Sequence, residues 1–170
     1  MATVRIPFNV KAAELAATGI PEWKNTAGTN FPVEGWALDG TASEQFFLKF
    51  RADDFGSGDL TLAIDWYADS GTTNAVTFGA QVGCITPDTD SGDIETKALD
   101  TATIVTDSHL GTTAQRLHRA IMTIANADTD SMTAGDYCIL RIYRDPADAG
   151  DTMAGIDVIV TFVELTYSNT

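Results

Sequence analysis

Alternation of apolar and polar residues with a period of two runs through much of this chain and limits its fold more than any other feature. In the segment QFFLKFR, residues 45–51, apolar side chains occupy every second position, and residues 60–68 and 75–85 repeat the pattern. The links between these segments are rich in Gly, Asp, Ser, Thr and Asn. Alternation bounded by such residues is typical of half-buried β-strands. The three segments are therefore predicted to form an antiparallel meander.

Further strand-like segments lie on both sides of this region. The last of them, residues 155–167, has apolar residues on both faces, with Ile156, Val158, Val160 and Phe162 on one face. A strand buried on both faces belongs in the middle of a sheet or at an interface. The remaining strand-like segments are residues 3–10, 31–38, 115–125 and 137–143.

Three parts of the chain are less regular. Residues 115–125 are also compatible with a helix, but their β neighbours favour a strand. The polar middle is predicted to hold at most short strands, near residues 94–98 and 102–105, and the only helical stretch is residues 11–17. Together the patterns predict an all-β protein, a single jelly-roll-like antiparallel β-sandwich of about eight strands with at most one short helix near the N-terminus.

The acidic net charge of the chain limits the kinds of partner that it could bind. The chain carries 24 acidic and 10 basic residues, for a formal net charge of -14, and the cations are scattered apart from a few short clusters. Nucleic acids and anionic membranes are both bound through basic surfaces. The composition therefore argues against a nucleic-acid partner and against a membrane partner.

The two cysteines, Cys84 and Cys138, lie far apart in strand-like segments. No CxxC or Cys/His spacing typical of structural zinc is present. The pair could form one disulfide, but single buried thiols are the interpretation that the sequence favours. The first ten residues lack a basic start followed by an apolar core, so no signal peptide is predicted and we expect synthesis in a cytoplasm.

Residues that could support catalysis are few. His109 lies in the loop TDSHLG and His118 in a strand, and both are predicted to be surface residues. Asp107, Ser108 and His109 supply the residue types of a triad, but neighbours in sequence cannot generally face one another as a triad requires. Acidic pairs are too numerous to identify a glycosidase, and phosphate- and dinucleotide-binding motifs are absent. The sequence thus predicts a protein that is not an enzyme and uses no cofactor.

Two aspartate-rich loops could supply oxygen ligands to calcium. The first contains the candidates Asp145, Asp148 and Asp151, and the second spans residues 88–93. Neither matches an EF-hand loop, which needs ligands at alternate positions, a central glycine and a terminal glutamate. The alternative, which the sequence favours, is that these loops are ordered polar turns.

Aromatic residues offer a third kind of site, a platform on which sugars stack. Its members would be Trp23, Trp36, Trp66, Tyr67 and Tyr143. Trp66 lies on the apolar face of its strand and is predicted to be a core residue, whereas Trp36 could face either way.

The segment AGDYCILRIYRDPADAGDTMAGIDVIVTFVEL, residues 134–165, resembles the C-terminal half of small β-sandwich proteins from the virions of tailed bacteriophages. Those proteins share a Gly-Asp turn, a strand ending in Leu-Arg-hydrophobic-Tyr/Phe-Arg-Asp, a loop of spaced aspartates and a long final strand. Residues 55–83 are similar to their central strands. The likeness covers roughly residues 31–167, and its motifs are those of turns rather than of an active site.

The resemblance implies a non-enzymatic virion protein, most like a capsid decoration (cement) protein. Such a protein binds the outside of the major capsid protein shell as a homotrimer and stabilises it, after synthesis in the host cytoplasm. On this interpretation residues 31–170 form the jelly-roll domain, and residues 1–30 are either a capsid-anchoring arm or the first strand of the sandwich. The alternative function is a receptor- or carbohydrate-binding module of a tail fibre or head fibre.

Candidate partner-binding residues follow from the same interpretation. Arg5, Lys11 and Lys24 are cations in the N-terminal segment of an otherwise acidic chain, and they could contact a capsid. Trp36 is a further candidate, because an exposed tryptophan would suit either a protein or a sugar partner.

Overall fold

The computed structural model describes residues 2–170, which form eleven β-strands and two single helical turns. The strands are β1 (Thr3–Phe8), β2 (Glu14–Leu15), β3 (Glu22–Thr26), β4 (Val33–Leu38), β5 (Gln45–Arg51), β6 (Leu60–Ala68), β7 (Ala75–Ile85), β8 (Thr103–Ser108), β9 (His118–Ile124), β10 (Tyr137–Arg144) and β11 (Val158–Ser168). The turns are 3-10 helices at Val10–Ala12 and Asn126–Asp128. Neither described helix has the length or the apolar character needed to cross a membrane.

The strands form two antiparallel sheets that enclose a shared core. Sheet A has the order β3-β4-β11-β6-β9, with β1 also paired to β11, and sheet B has the order β2-β5-β10-β7-β8. The chain passes from one sheet to the other at every connection except β3–β4 and β7–β8, as in a jelly roll. The prediction of an all-β, jelly-roll-like sandwich is confirmed, with eleven strands in place of about eight.

The predicted meander of residues 45–85 is wrong. Strands β5 and β7 lie in sheet B on either side of β10, whereas β6 lies in sheet A between β11 and β9. Alternation gives each strand an apolar face, but it does not specify which strand lies beside it. The links between these strands cross from sheet to sheet instead of turning within one.

Strand β11 lies at the centre of sheet A, as its apolar residues on both faces predicted. Val158, Ile159 and Val160 are fully buried. A β-bulge between Val160 and Phe162 shifts the register against β6. Because the bulge adds a residue, Phe162 lies on the outer face of the sheet, whereas strict alternation had placed it on the same face as Val158 and Val160.

The described N-terminal residues, 2–30, belong to the sandwich. Strand β1 pairs with β11 along its whole length, and Phe8 and Val10 are buried in the core. The helix predicted over residues 11–17 is wrong, because a 3-10 turn and the short strand β2 stand in its place. Strand β3, which the sequence did not predict, pairs with β4. In this structure the segment is therefore formed by strands, and Met1 lies outside the described residues.

The remaining ambiguous segments divide between confirmed and wrong predictions. Residues 115–125 contain strand β9, and the strand expected near residues 102–105 corresponds to β8. The strand expected near residues 94–98 is wrong, because the chain turns there. Its continuation packs on sheet B, where Leu99 contacts Gly83 and takes the space that a side chain at that position would fill.

Cys84 and Cys138 form a disulfide, which corrects the preference for free thiols. Strands β7 and β10 are neighbours in sheet B and place the two residues directly opposite each other, with Cα atoms 4.2 Å apart. The residues are separated by 54 positions, so only the pairing of the strands brings them together.

The main core lies between the sheets, and Trp66 is fully buried there as predicted. A second, smaller apolar cluster covers the outer face of sheet A. It consists of Ala37, Tyr67 and Ile159, with Val33 packed against them. One outer face of the sandwich is therefore apolar, and a groove lies above it.

Candidate functional site

The outer face of sheet A carries a groove of about 590 Å³, which we call the sheet A groove. Its apolar and aromatic lining residues are Phe31, Pro32, Val33, Tyr67, Leu117 and Phe162, and its polar ones are Thr26, Glu34, Asp65, Gln115 and Thr161. A mainly apolar groove of this volume with a few polar groups has the character of a small-molecule site.

Strands form the floor of the groove, and two loops form its ends. Tyr67 of β6 packs on Ile159 of β11 and is largely buried. Phe162 reaches the groove because the bulge in β11 turns it outward. Phe31, which is 81% exposed, comes from the β3–β4 loop, and Leu117 comes from the loop before β9. Three aromatic rings from separate parts of the chain thus line one groove.

Polar groups lie beside these rings. The Thr26 and Tyr67 hydroxyl oxygens are 3.3 Å apart, and a hydroxyl can make more than one hydrogen bond. Gln115 donates from Nε2 to the Asp69 carbonyl oxygen at 2.8 Å, which fixes its side-chain amide at one end of the groove. The groove therefore offers both ring faces and hydrogen-bonding groups to a ligand.

Asp65 is the buried acid of the groove, and it is paired across the sheet with Arg119 of β9. The guanidinium donates from Nε to Oδ1 at 2.6 Å and from Nη2 to Oδ2 at 2.8 Å. The bond to Asp65 raises the pKa of Arg119 above its ordinary value. Because both carboxylate oxygens accept from one guanidinium, the Asp65 side chain is held in a fixed position.

The three cations predicted as capsid contacts are paired with acidic residues of sheet A or its connecting loops. The pairs are Arg5 with Glu164, Lys11 with Glu34, and Lys24 with Asp69. Glu34 lines the groove, and the Asp69 carbonyl binds Gln115, so Lys11 and Lys24 lie near the rim. Surface pairs of this kind leave each cation accessible to a partner while contributing little to stability.

Trp36, by contrast, is a core residue. Its side chain is on the inner face of β4 and the residue is 8% exposed. The indole N–H donates to the Val10 carbonyl oxygen at 2.7 Å, and the ring packs edge-on against Trp23 at 4.8 Å. Because Trp36 is buried, it is not placed to contact a partner directly, which corrects its candidate role.

The predicted aromatic platform is not assembled. Trp66 is in the core, and Trp23 faces inward beside Trp36. Tyr143 lies on the outer face of sheet B, where its ring covers Gly79 and stacks with the Arg141 guanidinium. Of the five aromatic residues proposed from the sequence, Tyr67 alone lines the sheet A groove.

The three calcium candidates are engaged in other bonds. Both oxygens of the buried Asp151 accept from the Arg144 guanidinium, at 2.8 and 2.9 Å. Asp145 and Asp148 accept backbone N–H groups of their own turns. No three His, Cys, Asp or Glu residues in the described range 2–170 are arranged to hold a metal ion. The Arg144 guanidinium occupies the position next to Asp151 that a cation would need, so Asp151 is not free to act as the calcium ligand of the less favoured alternative.

Both histidines are buried, which corrects their predicted surface positions. The rings of His109 and His118 are 4.4 Å apart, and His118 stacks on Trp66 at 4.6 Å. Asp107 accepts a hydrogen bond from the Trp66 indole at 2.8 Å. The Asp-Ser-His stretch is therefore built into the packing around Trp66 and is not arranged as a triad.

Phe31 and Phe162 line the groove but were not among the site residues predicted from the sequence. Phe31 stands in a polar loop, where an exposed phenylalanine followed by proline was a signal that could have been used. Phe162 was grouped on one face with Val158 and Val160, because the bulge in β11 has no signature in the alternation itself.

No family model matches the chain, and no curated protein sequence matches it. Solved structures with a similar arrangement include several carbohydrate-binding module β-sandwiches. The C-terminal CBM6 of LamC, a marine laminarinase from Zobellia galactanivorans, is 9% identical with a TM-score of 0.45, covering 97% of this chain and 99% of that one. A family 35 carbohydrate-binding module from Clostridium thermocellum is 14% identical with a TM-score of 0.46, covering 95% and 97%. CBM28, described as specific for non-crystalline cellulose, is 10% identical with a TM-score of 0.47, covering 91% and 84%.

Proposed function

We propose that this protein is a non-enzymatic binding module that takes an oligosaccharide in the sheet A groove. The observation that carries the proposal is that Phe31, Tyr67 and Phe162 line one groove of about 590 Å³ together with hydroxyl, amide and carboxylate groups. This is the carbohydrate-binding alternative from the sequence, with Phe31 and Phe162 in place of the tryptophans.

The chemistry of a sugar ring suits such a surface. One face of the ring presents C–H groups that pack on an aromatic side chain, and its edges present hydroxyl groups that need hydrogen-bond partners. Thr26 and the Tyr67 hydroxyl supply such partners beside the rings. Gln115 adds an amide at the end of the groove.

The pairing of Asp65 supports binding without hydrolysis. Glycoside hydrolysis needs two carboxyl groups, of which one donates a proton to the leaving group. Both oxygens of Asp65 accept from the Arg119 guanidinium, and the other acid of the groove, Glu34, is exposed and paired with Lys11. Each of these two acids is thus bound to a cation, which supports a binding role over the paired acid and base of a hydrolase.

A glycan array followed by calorimetry on the best ligand tests the proposal. Phe31→Ala and Phe162→Ala should each weaken binding by about tenfold, or about 1.4 kcal/mol. Ile104→Ala is the matched control, because Ile104 is an exposed apolar residue of β8 in sheet B. If no glycan bound, or if the control weakened binding as much as the groove variants, the proposal would be wrong.

A capsid decoration role is the second candidate, and one observation favours it. Phe31, Leu117, Ile121 and Phe162 are exposed apolar residues on the same side of sheet A, and a protein partner would remove them from water. Binding to depleted capsids, with trimer formation measured by light scattering, tests this candidate. Capsid binding that is lost in Phe31→Ala, together with an empty glycan array, would favour the decoration role over the glycan module.

A further inference from the structure

We propose that His109 and His118 form an acid-sensitive latch on the loop of residues 109–117, so that acidification opens the Leu117 and Gln115 end of the sheet A groove. The opening of the loop is inferred from the contacts of the two histidines and does not depend on the proposed function. Its effect on ligand binding rests on the proposed function.

His109 holds the loop only in its neutral form. Its Nδ1 accepts the backbone N–H of Gly111 at 3.0 Å, and its Nε2 bonds the Ala114 carbonyl oxygen at 3.0 Å. A nitrogen that accepts a hydrogen bond carries no proton, so Nε2 is the donor to Ala114. Protonation of Nδ1 would place two N–H groups against each other and break the bond to Gly111.

His118 packs beside the His109 ring and follows the loop of residues 109–117. It is directly opposite Trp66 in the β6–β9 pairing, stacks on the indole, and is 4.4 Å from His109 between ring centres. Its Nε2 is buried and has no hydrogen-bond partner among the described residues. Two imidazolium ions at this distance would repel each other in a site that water reaches poorly.

The surroundings of His118 oppose its protonation on balance. Burial lowers the pKa of His118 below its ordinary value, and the neighbouring His109 and Arg116 act in the same direction, whereas Asp107 acts in the opposite one. Asp107 is the acid that β8 contributes, and it already binds Trp66. Trp66 of β6 and the other partners, the Asn74 carbonyl and the Ala114 carbonyl, are neutral.

The sign of the effect follows from linkage. Because the pKa of His118 is lower in the folded than in the unfolded chain, the unfolded chain binds this proton more readily. The stabilisation is therefore present above pH of about 6.5 and is lost as the pH falls below that value. The segment that carries both histidines also carries Gln115 and Leu117 to the groove, so that end of the groove should loosen first.

Amide hydrogen exchange of the full chain between pH 7.5 and 5.0, corrected for intrinsic rates, tests the latch. Protection of residues 110–117 should fall by about tenfold or more over this range, while that of β10 and β11 stays constant. His109→Asn keeps an acceptor for Gly111 without a titrating group, and His118→Phe keeps the stack on Trp66. The double variant should therefore lose the pH response. Constant loop protection in the wild type, or an unchanged response in the double variant, overturns the proposal.

Titration of the two imidazole rings in the wild type by NMR covers the case in which the double variant does not fold. The His118 ring should gain its proton over the pH range in which the loop opens, and titration of His118 without a change in loop exchange overturns the latch. Affinity for a groove ligand, measured at both pH values, should then fall about tenfold with the opening. If the loop opens and no glycan binds at either pH, the latch stands and the proposed function fails. If a glycan binds equally at both values, the link between the latch and the groove fails.

Discussion

Arg144 and Asp151 form an ion pair that is buried to 0% and 1% side-chain exposure, with two parallel bonds of 2.8 and 2.9 Å. The guanidinium also donates to the carbonyl oxygens of Met153 and Ile156, at 2.8 and 2.6 Å. Asp151 accepts the backbone N–H of Thr77 at 3.1 Å. This pair ties the loop after β10 to strand β7, so the spaced aspartates include one structural anchor.

Removing one partner of this pair should be costly. Asp151→Ala leaves the Arg144 charge buried without a counter-ion, and we expect the free energy of unfolding to fall by about 3–5 kcal/mol, measured by urea denaturation. Glu164→Ala breaks the exposed pair with Arg5 and is the control, with an expected loss under about 1 kcal/mol. Equal losses in the two variants would contradict a structural role for Asp151. Arg144→Met combined with Asp151→Ala should recover part of the loss.

The disulfide gives a second test. Reduction of Cys84–Cys138 removes a cross-link between residues separated by 54 positions, and the free energy of unfolding should fall by about 2–4 kcal/mol. Urea denaturation with and without a thiol reductant measures the change. A Cys84→Ser, Cys138→Ser double variant should show no dependence on the reductant. Quantitative alkylation of both thiols in the unreduced folded protein would show that the bond is absent.

Alternation predicted the strands well because most strands of a sandwich have one face toward the apolar core and one face toward solvent. It identified the inner faces of β5 and β6, whereas the central position of β11 followed from apolar residues on both of its faces. It failed where structure depends on contacts between distant parts of the chain. The disulfide requires the pairing of β7 with β10, and the sequence gives no register for that pairing.

The groove could be predicted only in part, for the same reason. Tyr67 was recognised as a possible sugar-binding residue from its type. Phe162 joins it only because a bulge reverses the alternation within β11, and Leu117 arrives on a loop whose path depends on His109. The positions of both residues depend on tertiary contacts, which override the preferences of the local sequence.

Gly35 lies beneath the groove, where strands β4 and β11 approach each other closely. A Cβ atom at Gly35 of β4 would contact the Val160 carbonyl oxygen and lie 2.9 Å from Ile159 Cγ2. Gly35→Ala should therefore force β4 away from β11 and cost about 1–3 kcal/mol in unfolding free energy. Gly92→Ala is the control, because no atom lies within 4 Å of its Cβ position, and we expect a change below about 0.5 kcal/mol. A neutral Gly35→Ala variant would show that the two strands have room to separate.

Asp39 should contribute to the loss of folding stability at low pH. Its Oδ1 accepts from the Thr41 hydroxyl, the Thr41 N–H and the Ala42 N–H, and these bonds lower the pKa of Asp39 below its ordinary value. The folded chain therefore holds this proton less readily than the unfolded one. The stabilisation is present above pH of about 4 and is lost as the pH falls through the lowered pKa. Carboxyl titration by NMR measures the pKa directly, and an ordinary or raised value would contradict the assignment. Asp39→Ala should flatten this part of the stability profile.

Deletion of the N-terminal residues distinguishes a strand from a detachable arm. Strand β1 pairs with the central strand β11, and the Val10 carbonyl accepts from the Trp36 indole, so removing residues 2–30 takes away one neighbour of β11 and part of the core. We expect the truncated chain to be unfolded or insoluble, measured by circular dichroism and by the soluble yield. Arg5→Ala combined with Lys11→Ala removes only the charges, and it should leave the melting temperature unchanged within the small contribution of surface pairs. A truncated chain that melted cooperatively near the temperature of the full protein would restore the interpretation of residues 1–30 as an anchoring arm.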